Sequence, residues 1–415
     1  MGLFVLCAAL LRSQSPWTFI SENLPNGSQL EEITEDNRIA PDTTDGSDDV
    51  AEPGPPFIAV HPMDRTVAEG MLTTFDVSLD RSDGTARFQW RRDGATIPGA
   101  NAPSYTIPSI GVADAGRYAC DVENDWGAET SEPATLTVIS PAQASRFVNF
   151  SVVTSVDTPH AETAIDFAVG GAGTSGEKPI LVRAVGPSLA RFGIANRNPA
   201  VSVQLFSGAA KTGENDRWGG QASVVEATAR VGAFPLIADD SSDAAMLINA
   251  ATAAHNTIKI SGRGSATGVV LAELYDATPV AAFSLQTPRL INFSVLKTIA
   301  AGTSLSIGFV IAGQTPKTVL VRVIGPSLAN WSAADTMPDP TLTLLRDVSP
   351  IATNDNWGGT PELRSAAAAV GALALGSSSK DAALVMNLSR GSYAVQASDV
   401  GNRGGMARVE IYEVP

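Results

Sequence analysis

Along most of this chain apolar residues come in short runs rich in Val, Ile, Thr and Ala, broken by Gly, Pro, Ser and Asn. That pattern predicts many short strands joined by turns. In the C-terminal two-thirds the runs fall at residues 147–153, 165–169, 180–185, 201–206, 257–260 and 269–275. A different signal stands at Thr360-Pro361-Glu362, where Thr suits a helix cap, Pro the first helical position and Glu the positive end of the dipole. A helix over 361–370 follows, with 222–231 as its counterpart. The expected unit is a two-sheet sandwich or jelly-roll-like fold with one short helix packed at an edge.

A duplication underlies that correspondence. VRAVGPSL at 182–189 returns as VRVIGPSL at 321–328, and NDRWGG at 215–220 returns as NDNWGG at 354–359, both 139 positions later (321 − 182 and 354 − 215). RFVNFS at 146–151 matches RLINFS at 289–294, Asp243-Ala244-Ala245 matches Asp381-Ala382-Ala383, and Glu273-Leu274-Tyr275 matches Glu410-Ile411-Tyr412. A repeat this long exceeds any solenoid unit, so each copy, 146–277 and 288–415, is expected to bury its own core. The duplication is also a filter: chemistry essential to the unit should stand in both copies.

Composition is that of core-forming protein, 44% hydrophobic and 6% aromatic over 415 residues. The net charge of −15 is largely local, because residues 22–52 hold ten acids against the single base Arg38. Residues 12–55 therefore read as an acidic, disordered leader. With no basic stripe elsewhere, a nucleic-acid partner is not expected. Residues 2–11 are apolar but too short to span a bilayer, and no Lys or Arg precedes them. Residues 1–11 read as a truncated export signal, and no membrane span is expected.

Residues 56–140 carry Val67-Ala68-Glu69-Gly70, Trp90, Arg92-Asp93-Gly94 and Asp114-Ala115-Gly116-Arg117-Tyr118-Ala119-Cys120. This stretch resembles an immunoglobulin domain of the I-set type, which implies Trp90 as the plug between two sheets and Tyr118 as the tyrosine corner. One departure stands out. Thirteen residues before the Trp, where that family places its first cysteine, this chain has Val77, so Cys120 has no partner within the domain and is expected to be an inert thiol facing the interior. Cys7, the other cysteine, lies across the acidic leader.

The repeated unit, on its VRxxGPSL, NDxWGG, Asp-Ala-Ala and Glu-x-Tyr markers, resembles a module found in tandem in large secreted or surface proteins of environmental bacteria. That resemblance implies an extracellular, non-catalytic building block. Arg183, Arg322, Glu273 and Glu410 lie in apolar strands and pass the duplication filter, so a structural Arg–carboxylate pair is expected in each copy. Asn215-Asp216-x-Trp218 and Asn354-Asp355-x-Trp357 have three readings: an Asx-type turn with Gly-Gly supplying positive φ, a Ca²⁺ site extended by Asp239, Asp240 and Asp243, or a sugar platform on the two tryptophans. Lys380, among the second copy's equivalents, argues against the cation.

Catalytic signatures are missing. The histidines His61, His160 and His255 are scattered, and the chain has no H-E-x-x-H and no G-x-S-x-G. The GAGTSGEK run at 171–178 misplaces its lysine for a phosphate loop and is shortened in the second copy. The expectation is an all-β, non-enzymatic protein of the cell surface or exterior, with no cofactor other than the Ca²⁺ reading. Its partner would be a protein or glycan ligand; the alternative is the accessory glycan-binding region of a carbohydrate-active enzyme.

Overall fold

A computed structural model describes residues 54–81, 85–252, 255–331 and 333–415. The expected export segment, Cys7 and nearly all of the acidic leader lie outside the described residues. The chain divides into two compact units, one centred on residues 71–138 and one on 139–415.

The first unit is a β-sandwich. It holds β1 Phe57–Val60, β2 Arg65–Ala68, β3 Thr73–Asp76, β4 Ser78–Arg81, β5 Arg87–Arg92, β6 Ala95–Thr96, β7 Ser104–Ile107, β8 Gly116–Asn124, β9 Gly127–Thr130 and β10 Ala134–Ile139. One sheet runs β2-β10-β8-β5-β6 with β9 beside β8, while β3 pairs β7 and β1 pairs β4. Alternation sends Phe75, Val77, Trp90, Tyr118, Cys120 and Val122 into one core.

The second unit contains both copies. Copy one supplies β11 Arg146–Val156, β12 Glu162–Gly170, β13 Glu177–Val185, β14 Val201–Ser207, β15 Ala210–Asn215, helix α1 Ala222–Arg230, β16 Ala244–Ala251, β17 Asn256–Gly262 and β18 Gly268–Asp276. Copy two supplies β19 Arg289–Ile299, β20 Leu305–Ala312, β21 Lys317–Ile324, β22 Pro340–Arg346, β23 Ser349–Asn354, helix α2 Pro361–Ala369, β24 Ala382–Leu388, β25 Gly391–Asp399 and β26 Gly405–Glu413. Thr360 caps α2, its hydroxyl accepting from the Leu363 N–H.

Pairing within a copy yields two four-stranded layers, and each layer then continues into the other copy. One layer runs β15-β14-β17-β12-β19-β26-β21-β24; the other runs β16-β13-β18-β11-β20-β25-β22-β23. They touch through a single bridge, Phe147 to Leu290. The joins are equivalent: Phe150 pairs Phe309 across β11–β20, and Phe293 pairs Phe167 across β12–β19. Each join also carries a bulge at the same place in the repeat, between Phe147 and Asn149 and between Leu290 and Asn292. The copies are thus related as the halves of a two-fold dimer built within one chain.

This arrangement corrects the expectation that each copy buries its own core. One continuous cluster includes Phe147, Phe150, Ile165, Phe167, Phe293, Val295, Phe309 and Tyr393. At its centre Phe150 stacks on Phe293 with centroids 4.8 Å apart, Phe147 meets Phe309 edge-on at 5.6 Å, and Phe309 stacks on Tyr393 at 5.3 Å. The physical reason is that β11 and β12 each have one neighbour inside copy one, and β19 and β20 one neighbour inside copy two. Their free edges and inward phenylalanines are satisfied only by the other copy.

Because the core is shared, truncating it on one side should unfold both copies together. Phe293→Ala is expected to cost about 3–5 kcal/mol and to shift a single calorimetric transition of the 139–415 unit downward. A thermogram in which only half of that unit's unfolding enthalpy moves would show that the copies melt separately.

Candidate functional site

The residues common to both copies converge on three buried polar arrangements. The first is centred on Asp243 and Asp381. Asp243 accepts from the Gly186 N–H at 2.9 Å, the Ser188 N–H at 3.2 Å, the Ser188 hydroxyl at 2.5 Å and the Ser241 hydroxyl at 2.7 Å. In copy two Asp381 accepts from the Gly325 N–H at 2.8 Å, the Ser327 N–H at 3.3 Å and the hydroxyls of Ser327 and Ser379. The Gly-Pro-Ser-Leu motif is therefore a wrap for a fully buried carboxylate, which needs several donors to be tolerated there. Gly is required at its head: a Cβ on Gly186 would lie 2.4 Å from the Asn198 carbonyl oxygen, and one on Gly325 2.2 Å from that of Met337.

The NDxWGG turn locks onto the same strand start. The Asn215 side chain donates to the Arg217 carbonyl and accepts from the Ala245 N–H, both at 3.0 Å; Asn354 does the same with Asn356 and Ala383. The Trp218 and Trp357 N–H groups donate to the Asp243 and Asp381 carbonyls. Their indoles donate to the Ala238 carbonyl at 2.8 Å and the Gly376 carbonyl at 2.9 Å. The following glycines, Gly219 and Gly220, sit at φ 65° and 64°, conformations that L side chains rarely adopt. Both tryptophans are 5% exposed, so the sugar-platform reading of these two residues is corrected: their ring faces are occupied by the protein.

The Ca²⁺ reading is corrected as well. Asp243 is surrounded by hydrogen-bond donors, while Asp239, Asp240, Asp216 and Asp355 point to the surface. Among the described residues no three His, Cys, Asp or Glu side chains come together in a way that could hold an ion.

The second arrangement joins Arg183 to Glu273, Nε to Oε2 at 3.2 Å, with the Tyr275 hydroxyl donating to Glu273 at 2.7 Å. Arg183 also donates to the Phe234 carbonyl at 2.9 Å and lies 4.4 Å from the centroid of that ring. In copy two Arg322 reaches Glu410 through Nε at 2.9 Å and Nη2 at 2.6 Å, and donates to the Leu373 carbonyl at 2.6 Å. Burial, and then the neighbouring Glu410 carboxylate, push the Tyr412 phenol up to about 12.

Sequence reasoning missed the third. Lys178, with no exposed surface, sits 2.8 Å from Asp276, whose other oxygen is 3.7 Å from Arg146. In copy two Lys317 and Arg289 both meet Glu413, at 3.0 and 2.8 Å. Burial lowers the pKa of Lys178 and Asp276 partly restores it. The signal was present in the repeated Arg146 and Arg289 and in Lys178 and Lys317, which stand 139 positions apart (317 − 178) at equivalent places in β13 and β21, but the acid changes from Asp to Glu. Serines 188, 241, 327 and 379 were also missed, although all four stand in repeated positions.

In the first unit Trp90 and Cys120 pair across β5 and β8, and Val77 faces the same core. The Trp90 indole donates to the Ala102 carbonyl at 3.0 Å, and the Tyr118 hydroxyl to the Asp114 carbonyl at 2.7 Å. Asp114 in turn accepts from the Gly111 N–H at 2.8 Å. Cys120 is a free, buried thiol, and burial pushes it up to about 11.

A comparison with known proteins falls on this first unit. A family model described as immunoglobulin domain matches residues 56–138. The chain is similar to a decoration protein of Escherichia phage T5, 27% identical over 93 residues, which is 22% of this chain and 57% of that protein. It is also similar to the mouse (Mus musculus) advanced glycosylation end product-specific receptor, 31% identical over 93 residues, 21% of this chain and 23% of the receptor. In both cases the match spans less than two-thirds of the relative. Among solved structures, tandem Ig repeats of Dlar align at 22% identity over 20% of this chain and 48% of that chain, TM-score 0.19. The N-terminal four Ig domains of Dscam1 isoform 4.44 align at 27% identity over 20% of each chain, TM-score 0.18. Residues 56–138 are an immunoglobulin-like domain, and the chain as a whole is an all-β, modular protein. No helix among the described residues is long and apolar enough to cross a membrane.

Two outcomes are expected. Ser327→Ala strips a hydroxyl donor from a buried carboxylate and should lower stability by about 1.5–3 kcal/mol, read by urea unfolding; an unchanged midpoint would remove Asp381 from the set of structural anchors. Cys120, mapped at peptide level, should resist iodoacetamide at pH 8 in the native chain and react in urea. Above the ordinary thiol range the unfolded chain loses a proton that the folded chain keeps until about pH 11, so the contribution of Cys120 to stability falls as pH rises through that window.

Proposed function

We propose that this chain is a non-enzymatic protein of the cell surface or exterior whose modules serve adhesion, binding or spacing. The observation that carries the reading is where the duplicated polar residues go. Arg183, Asp243 and Glu273 and their partners Arg322, Asp381 and Glu410 are all internal and engaged with one another or with backbone. Of the charged residues named in both copies only Asp216 and Asp355 are exposed, one in each copy, whereas a duplicated catalytic unit would keep a solvent-reached constellation in both.

The immunoglobulin-like domain, read as I-set, and the resemblance of the tandem unit to modules of bacterial surface proteins support the same setting. The sequence likeness to the mouse advanced glycosylation end product-specific receptor supports the binding part of this reading. The partner under this reading is a protein or glycan ligand, engaged by surfaces outside the duplicated anchors.

Exposure on intact cells tests the setting. Protease added to unbroken source cells should digest this chain while leaving a cytoplasmic marker whole. Digestion that requires lysis would overturn a surface location, and recovery in the culture supernatant would assign it to the exterior.

A further inference from the structure

The pseudo-symmetry gives every position in one copy a control in the other, and one surface breaks the equivalence. On the outer face of copy one, Val153, Val185, Leu189, Val269 and Leu271 form a small satellite core, covered by Phe192, Ile194, Phe234 and Leu236 and flanked by Val310. Strand register fixes the equivalents: Val153 pairs Leu271 as Leu296 pairs Arg408, and Ser155 pairs Val269 as Thr298 pairs Met406. The loops match too. Arg183 donates to the Phe234 carbonyl as Arg322 donates to that of Leu373, and the Ile194 N–H reaches the Leu189 carbonyl as the Ala333 N–H reaches that of Leu328. Phe192 therefore corresponds to Trp331.

In copy two this cover is opened. Ala333 stands for Ile194, Leu373 for Phe234 and Ala168 for Val310, each a loss of volume. Val153 is 9% exposed, but its equivalent Leu296 is 40% exposed, alongside Trp331 at 42% and Leu373 at 48%. A charge pair has entered the same face. Arg408 stands where copy one has Leu271, and Asp166, brought to this face by β12 of copy one, stands where β20 of copy two brings Gly308 to the other face; the guanidinium and carboxylate are 3.2 Å apart and partly open to solvent. Arg408 is held from below by Glu410 at 3.0 Å and Ser294 at 3.0 Å, and Asp166 by the Thr257 hydroxyl at 2.7 Å. The pair is thus fixed in place on the face that Trp331 flanks by its equivalence to Phe192, and that indole is open to solvent.

We infer that this face of copy two is a saccharide-binding platform, with Trp331 as the stacking surface and Arg408 and Asp166 as the hydroxyl-reading pair. A sugar ring presents an apolar face of C–H groups and a rim of hydroxyls that both donate and accept. An indole matches the face; a guanidinium, which only donates, and a carboxylate, which only accepts, together match the rim. A purely apolar peptide would leave the fixed ion pair to be desolvated without compensation, which disfavours it. The inference rests on the reading of the chain as a surface binding protein and names the class of its ligand.

The full chain should retain on an array of defined oligosaccharides, or on insoluble cellulose, chitin or xylan, a subset of these probes. Trp331→Ala should weaken that binding roughly tenfold or more, while Phe192→Ala, its counterpart in copy one, leaves it intact; matching far-ultraviolet spectra and melting temperatures exclude misfolding of either variant. Arg408→Gln should shift which saccharides are retained. Blank arrays and no polysaccharide retention overturn the inference, as does binding unaffected by Trp331→Ala. Capture of a protein ligand that Trp331→Ala abolishes, with blank arrays, also overturns it and assigns the face to protein recognition. None of these outcomes depends on the protease-exposure result, so a failure here is separable from a failure of the surface reading.

Discussion

The hydrogen-bonded joins β11–β20 and β12–β19 are the constraint on which the C-terminal two-thirds of the molecule depends. Without them each copy would be a pair of four-stranded layers, each with an open edge, and five phenylalanines, Phe147, Phe150, Phe167, Phe293 and Phe309, would face an incomplete core. With them, each layer doubles its width and the aromatic stack of Phe150 on Phe293 becomes the middle of the structure rather than its rim. Free edges and half-covered apolar faces are costly for the same reason, unsatisfied contact with water, and one geometry removes both.

The buried charges follow from that frame. An interior this broad leaves loops and strand starts far from solvent, where a lone polar group is expensive. Asp243 and Asp381 gather backbone N–H groups and serine hydroxyls; Arg183 and Arg322 gather a carboxylate and a carbonyl. Each cluster ties a connection to a strand that is distant in sequence, as when Asp243 holds the turn at Gly186. Their value is in fixing one register among the many that similar, Val- and Ala-rich strands would otherwise permit.

Much of this was legible in the sequence, and the limits have physical causes. The helices were readable because Thr360, Pro361 and Glu362 act locally. The immunoglobulin-like domain was readable because Trp90, Tyr118 and Cys120 have fixed spacings imposed by two packed sheets. β15 and β23 were not read as strands: Ala-Lys-Thr-Gly-Glu-Asn and Ser-Pro-Ile-Ala-Thr-Asn lack alternation because they are outer strands of hairpins with little face to bury. The sharing of strands between copies was invisible because alternation reports which face of a strand is apolar and is silent on which edge finds a neighbour. Among candidate residues, the repeated Trp218 and Trp357 attracted a binding reading that burial removes, whereas Trp331 was passed over because the duplication filter discards what only one copy has.

The shared sheet has a genetic corollary. Two copies this alike invite unequal recombination, which would excise one of them cleanly in frame. In an array of self-sufficient modules such a loss only shortens the protein. Here the survivor would carry both edges of a join that a second chain can fill with the same edges, so loss of one copy would turn a pairing within one chain into dimerisation between two.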